Sequence, residues 1–98
     1  MSQRKYTDQS LKHLIQEMLR NSNMEQRYTE LEVVRSYQEV VGEVIARKTR
    51  EVRLRNKTLI IKPDIGPLKE ELMHLKTRIA GLVNERMGKV VIEEVEIW

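Results

Sequence analysis

Apolar residues at Leu11, Leu14, Ile15, Met18 and Leu19 recur at three- and four-residue intervals. That spacing places them on one face of a helix and predicts a helix over Asp8–Arg20, with Thr7 or Asp8 available as its cap. Asn21, Ser22 and Asn23 then end it, because their short polar side chains compete for backbone partners. A second helical pattern runs through Leu31, Val34, Tyr37, Val41, Val44 and Ile45 towards Ala46. Thr29 and Glu32 stand at capping-box spacing near its start. Gly42 interrupts it. In a helix interior a glycine costs about 1 kcal/mol relative to alanine, so this one predicts a kink, a close backbone contact, or a division into two short helices.

The period then changes from helical to two. Val52 and Leu54 alternate with charged residues, Leu59 and Ile61 alternate again, and Asn56-Lys57 lies between the two runs. Asparagine tolerates the positive φ of a tight turn, so Arg50–Lys62 reads as a β-hairpin ended by Pro63. Asp64, Gly66 and Pro67 introduce a further helix, with Pro67 suited to its first turn. Its stripe is Leu68, Leu72, Leu75, Ile79, Leu82 and Val83, and Gly88 closes it after Met87. Val90–Trp98 reads as a last strand with Val95 and Ile97 on one face. The order helix-helix-strand-strand-helix-strand predicts an α+β domain in two layers, with helices packed on one face of a small mixed three-stranded sheet. The second and third strands would pair in parallel through a right-handed helical crossover. Residues 1–7 are polar and are expected to form a flexible N-terminus, leaving 8–98 as a single domain.

Composition sharpens this. The chain has 98 residues, 40% of them apolar, yet no Phe, one Trp and three Tyr, so aliphatic side chains and Met must fill the core. There is no cysteine, which excludes a disulfide framework, a thiolate metal site and a cysteine nucleophile. Neither a signal-peptide pattern nor an apolar run of membrane-spanning length occurs, so a cytoplasmic protein is the expectation.

The net charge of +3 conceals a separation. Arg47, Lys48, Arg50, Arg53, Arg55 and Lys57 crowd the middle of the chain, opposed there only by Glu51, while Glu93, Glu94 and Glu96 gather near its end. A strand with arginines two residues apart and Val52 and Leu54 turned inward presents a cationic face. Guanidinium groups match phosphate geometry, and such contacts tolerate any base sequence and weaken in salt. Those six residues are the candidate nucleic-acid site. A solvated face without a ligand is the plain alternative. Aromatic platforms for stacked bases are scarce: Tyr6, Tyr28 and Tyr37 fall in N-terminal or helical positions, and Trp98 is terminal.

Catalytic chemistry finds no support. Neither His13 nor His74 has a carboxylate or histidine at ligand spacing that forms a recognised metal motif, Ser2, Ser10, Ser22 and Ser36 lie in no nucleophile context, and the four glycines are dispersed. The Glu93-Glu94-Glu96 group reads as a solvated strand edge guarded against aggregation. No catalytic residue, metal or cofactor is expected. Met18, Met24, Met73 and Met87 are adaptable apolar groups, and surplus apolar surface on the first helix could dock a protein. The small core also leaves room for a homodimer.

Tyr37-Gln-Glu-Val-Val-Gly-Glu-Val-Ile-Ala-Arg-Lys-Thr49, followed by Val52-Arg-Leu-Arg-Asn-Lys-Thr-Leu59, resembles the DciA-like family of bacterial proteins associated with loading the replicative helicase, long catalogued as a domain of unknown function. Glu71-Leu72 with Leu75, then Leu82-Val-Asn84 with Gly88, continue the pattern, and the resemblance covers Leu11 to Trp98. It implies a KH-like fold without catalysis, contact with the replicative DNA helicase, and DNA binding through the Arg47–Lys57 region. The chain departs from the pattern at Tyr37, where the family usually has Trp, at Asn56-Lys57, where a turn with Gly is commoner, and at Gly66-Pro67. It stops at Trp98, where many members continue into a disordered extension. It also lacks the Gly-x-x-Gly loop of KH domains. The leading expectation is a non-enzymatic accessory module of DNA replication. A protein-binding adaptor without nucleic-acid binding and an RNA-binding KH-like module are the rivals.

Overall fold

The computed structural model describes residues 8–20 and 24–98. Residues 1–7 and the break at 21–23 lie outside the described residues. The chain runs α1 (Asp8–Arg20), α2 (Met24–Val41), α3 (Glu43–Arg47), β1 (Thr49–Arg55), β2 (Thr58–Pro63), α4 (Gly66–His74), α5 (Lys76–Met87) and β3 (Glu94–Ile97). This is the expected two-layer α+β architecture, with two helical regions each divided in two.

Gly42 makes the first division. Its φ of 91° and ψ of 166° fall where side chains clash with the backbone, so glycine alone sits there without strain. α2 itself begins at Met24, so Thr29 lies within the helix and does not cap it. Its buried face is Val33, Ser36 and Tyr37, while Leu31 of the expected stripe is exposed. The second division, at Leu75, has no glycine or proline to mark it. Leu75 leaves the helical region at φ −103° and ψ 5°, its N–H bonds to Leu72 O at 3.0 Å, and its own carbonyl accepts from Ile79 at 2.8 Å. One residue thus ends α4 and starts α5.

The hairpin turns on Asn56 and Lys57, with φ of 49° and 65°. Both values are positive, as a two-residue turn matched to strand twist requires. β1 pairs antiparallel with β2, from Arg55↔Thr58 to Glu51↔Lys62, with a register shift between Thr49 and Glu51. β2 pairs parallel with β3, Leu59 opposite Val95 and Ile61 opposite Ile97, so the sheet order is β1-β2-β3. The last strand is shorter than the Val90–Trp98 expected. Asn84 explains why: its Oδ1 accepts from the Val91 and Ile92 N–H groups and its Nδ2 donates to Ile92 O, all at 2.9 Å. Those backbone groups are therefore committed to a helix side chain instead of a strand.

Val52, Leu54, Leu59, Ile61 and Val95 share the inner sheet face and meet Val33, Tyr37, Leu68, Leu72, Ile79 and Val83 from the helices. Leu59, Ile61, Leu72, Val33, Val83 and Tyr37 are fully buried. Tyr37 keeps its hydroxyl satisfied by sharing a hydrogen bond of 2.9 Å with Thr49 Oγ1, and burial pushes its pKa up although that bond opposes the shift. The outer sheet face carries Glu51, Arg53, Arg55, Thr58, Ile60, Lys62, Glu94 and Glu96, the side expected to face solvent. α1 packs chiefly on α2 and leaves its apolar stripe open: Leu11, Leu14 and Ile15 are 44–49% exposed. The body measures 57 × 25 × 21 Å.

Candidate nucleic-acid interface

The six basic residues do not form one patch. β1 sets their spacing, and about 3.4 Å per residue puts its two ends some 20 Å apart. Arg47 and Lys48 stand at the close of α3 and Arg50 at the start of β1, all exposed. Arg47 borders a shallow depression shared with Arg35, Glu39 and Glu43, where both signs of charge mix. Arg53, Arg55 and Lys57 lie at the other end, beside the turn.

Here the tertiary fold adds what the sequence pattern does not contain. Arg27 from α2 and Lys89 from the loop after α5 join Arg53, Arg55 and Lys57 around an open groove of about 730 Å³. Glu25 and Glu30 are the carboxylates on its wall, so five cations meet two anions. Such an open, cationic groove suits a chain of phosphates more than a small molecule, which prefers enclosure and apolar walls.

The five cations are not equivalent. Glu30 Oε2 accepts from Arg53 Nε at 2.8 Å and from the Leu54 N–H at 3.0 Å. Glu51 lies 3.6 Å from the same guanidinium. Arg53 thereby ties the hairpin to α2 and carries a compensated charge. Burial would raise the Glu30 pKa, but the bonds from Arg53 and Leu54, with the charge of Arg27 nearby, outweigh it and hold the carboxyl below its ordinary value. The Glu30 bond in turn raises the Arg53 pKa, so this guanidinium stays charged. Lys57 faces Glu93 at 3.8 Å, both well exposed, a weak and screened pair. Among the described residues Arg55 and Lys89 enter no ion pair, and both are exposed.

Lys89 also borders a neighbouring depression with Arg20, Arg86 and Tyr28. The tyrosine is 52% exposed. It places an aromatic ring beside the cationic groove, which the linear reading of aromatic positions did not suggest. Arg27, Lys89 and Tyr28 are thus the residues that the charge run fails to indicate. None lies within it, and only the packing of α2 and α5 around the hairpin end brings them there. Among the described residues no group of three or more His, Cys, Asp or Glu side chains could hold a metal ion. His13 is exposed and 3.9 Å from Glu17 on the same helix, and His74 is exposed in the last turn of α4. No described helix is long and apolar enough to cross a membrane.

Fold and groove together define a small two-layer α+β module with a cationic end. The family model described as Dna[CI] antecedent, DciA, matches residues 10–97, and the chain belongs to the DciA family. Membership connects it with bacterial DNA replication and with an accessory family of the helicase-loader type. No curated protein and no solved structure matches the chain.

Proposed function

We propose that this protein is a non-enzymatic accessory module of bacterial DNA replication, which binds the replicative helicase and, more weakly, nucleic acid. The reading rests most on the convergence of Arg27, Arg55, Lys57 and Lys89 around one open groove. Phosphates supply the attraction there, so binding is sequence-independent and falls with salt. Arg53 holds the hairpin in place through Glu30, and Arg47, Lys48 and Arg50 stand at the far end of β1, outside the groove. Tyr28 favours single strands, whose unstacked bases can lie against its ring.

Helicase contact is supported by family membership, and the exposed stripe of α1 is the surface assigned to it. A purely protein-binding adaptor is the second reading, favoured by the compensation of Arg53 by Glu30 and Glu51. Binding of a labelled single-stranded oligonucleotide at rising salt tests the nucleic-acid half. Arg55→Glu/Lys89→Glu should weaken binding at least tenfold at low salt with unchanged circular dichroism. No detectable binding by the unaltered protein, or no effect of the double substitution, would leave only the adaptor. Capture of the helicase after nuclease treatment tests the protein half.

A further inference from the structure

The sheet has two edges, and they are finished differently. At the β1 edge the outward N–H of Leu54 is taken by Glu30, and the Arg53 side chain reaches the same carboxylate. At the β3 edge no comparable closure occurs among the described residues. Trp98 N–H bonds to Ile61 O at 2.9 Å and Glu94 N–H to Lys57 O at 3.2 Å. In a parallel ladder the residues that bond to the neighbouring strand alternate. Glu94, Glu96 and Trp98 therefore address β2, and the N–H and C=O groups of Val95 and Ile97 point away from the sheet. A groove of about 440 Å³ lies beside them, between β3 and the first turns of α5, with Lys76, Thr77 and Ala80 on its helical side.

We propose that the free edge of β3 is a strand-addition site for an extended, basic segment of a partner protein. The backbone groups of Val95 and Ile97 supply the ladder bonds, as an open edge strand does for an incoming peptide. Charge selects the occupant. Glu94 and Glu96 share the outer sheet face and are exposed. Directly opposite residues on an added strand also project to that face, at the same two-residue spacing, so Lys or Arg at alternate positions meets the two carboxylates. The intervening residues face the groove beside Thr77 and Ala80, where small or β-branched side chains fit. Pairing β3 with β3 of a second copy would bring Glu94 and Glu96 of two copies together, and on the β1 edge of another copy Glu30 already holds the Leu54 N–H and the Arg53 guanidinium. β2 separates β3 from β1, and the groove meets the cationic one only where Glu93 on its wall faces Lys57 at 3.8 Å.

A nine-residue peptide alternating Arg and Thr is the probe, labelled for fluorescence anisotropy and titrated into the full chain. The added strand runs antiparallel to β3, so the residues opposite Val95 and Ile97 donate to them, and the control replaces each Thr with Pro, keeping the charge and removing those donors. The alternating peptide should bind saturably, and the control at least tenfold more weakly. Amide exchange at Val95 and Ile97 should slow at least tenfold in the complex. Glu94→Lys/Glu96→Lys should reverse the preference towards a peptide alternating Glu and Thr. Equal binding of peptide and control would mean that charge alone attracts them. Absence of binding, or protection confined to other amides, would mean that the carboxylates only guard the edge. Any of these overturns the site, and because the decisive control is made on the peptide, no variant has to fold for the result to count.

Discussion

Glu30 receives Arg53 Nε at 2.8 Å and the Leu54 N–H at 3.0 Å, so one carboxylate both closes an edge strand and neutralises a residue of the basic run. Its folded pKa is below the ordinary carboxylate value. The linkage follows from that direction: the stabilising contribution is complete above the ordinary value and is lost as pH falls through the lower folded one. Glu30→Gln should therefore lower stability at neutral pH and flatten its loss on acidification, as urea unfolding at several pH values would record. The same substitution frees the Arg53 charge and should tighten oligonucleotide binding, so stability and affinity move in opposite directions. Asn84 is the second residue with an outsized role. Replacing it by Ala leaves the Val91 and Ile92 N–H groups without their acceptor, at a cost of about 1–3 kcal/mol in unfolding free energy. Asn84 was visible in the sequence only as part of a family pattern. Its reason, three bonds from the Val91–Ile92 backbone to a side chain of α5, depends on the loop after Met87 folding back over that helix, which spacing alone does not encode.

At the scale of elements, what was legible followed periodicity and local chemistry. α1, the hairpin with its Asn56-Lys57 turn, the last strand and the break at Gly42 all carry signals contained within a few residues. The break at Leu75 carries none. Leu68, Leu72, Leu75, Ile79 and Val83 continue one helical stripe across it, although the chain turns at Leu75. The buried face of α2 departs from residue type for a related reason. Leu31 looks like core by type, yet α5 and the sheet cover Val33 and Tyr37 instead. Two glycine substitutions should show the difference between a required and a dispensable glycine. Gly42→Ala meets no neighbouring atom but forces a side chain into φ 91°, and should cost about 1–3 kcal/mol. Gly81→Ala lies in exposed helix with open space around its added carbon, and should stabilise by about 0.5–1 kcal/mol. Thermal melts of the two variants should shift in opposite directions.

For the whole molecule, the decisive feature is where charge converges. The sequence showed six basic residues within eleven, and the fold distributes them to both ends of β1, keeps Arg53 for an internal bond, and recruits Arg27 from 20 residues before the run and Lys89 from 32 residues after it. Linear density of charge is a poor guide here because a seven-residue strand is nearly as long as the domain is wide. Shape bears on the protein partner as well. α1 leaves Leu11, Leu14 and Ile15 about half exposed, and a stripe already in water contributes little to folding. Leu11→Glu/Leu14→Glu should consequently leave the unfolding midpoint almost unchanged while abolishing helicase capture in a pull-down. Retained capture would move the partner surface elsewhere.

Phosphate binding at the hairpin end is measured most directly by the salt dependence of affinity. Each phosphate contact to a single strand contributes about 0.7 to the slope of log affinity against log salt. Arg55→Ala/Lys89→Ala should reduce the slope by about 1.4. Arg47→Ala/Arg50→Ala, which removes the same charge from the opposite end of β1, should leave the slope within experimental error of the unaltered protein. Equal reductions from both pairs, or a larger one from the second, would contradict a localised groove and return the basic run to the role of a solvated face.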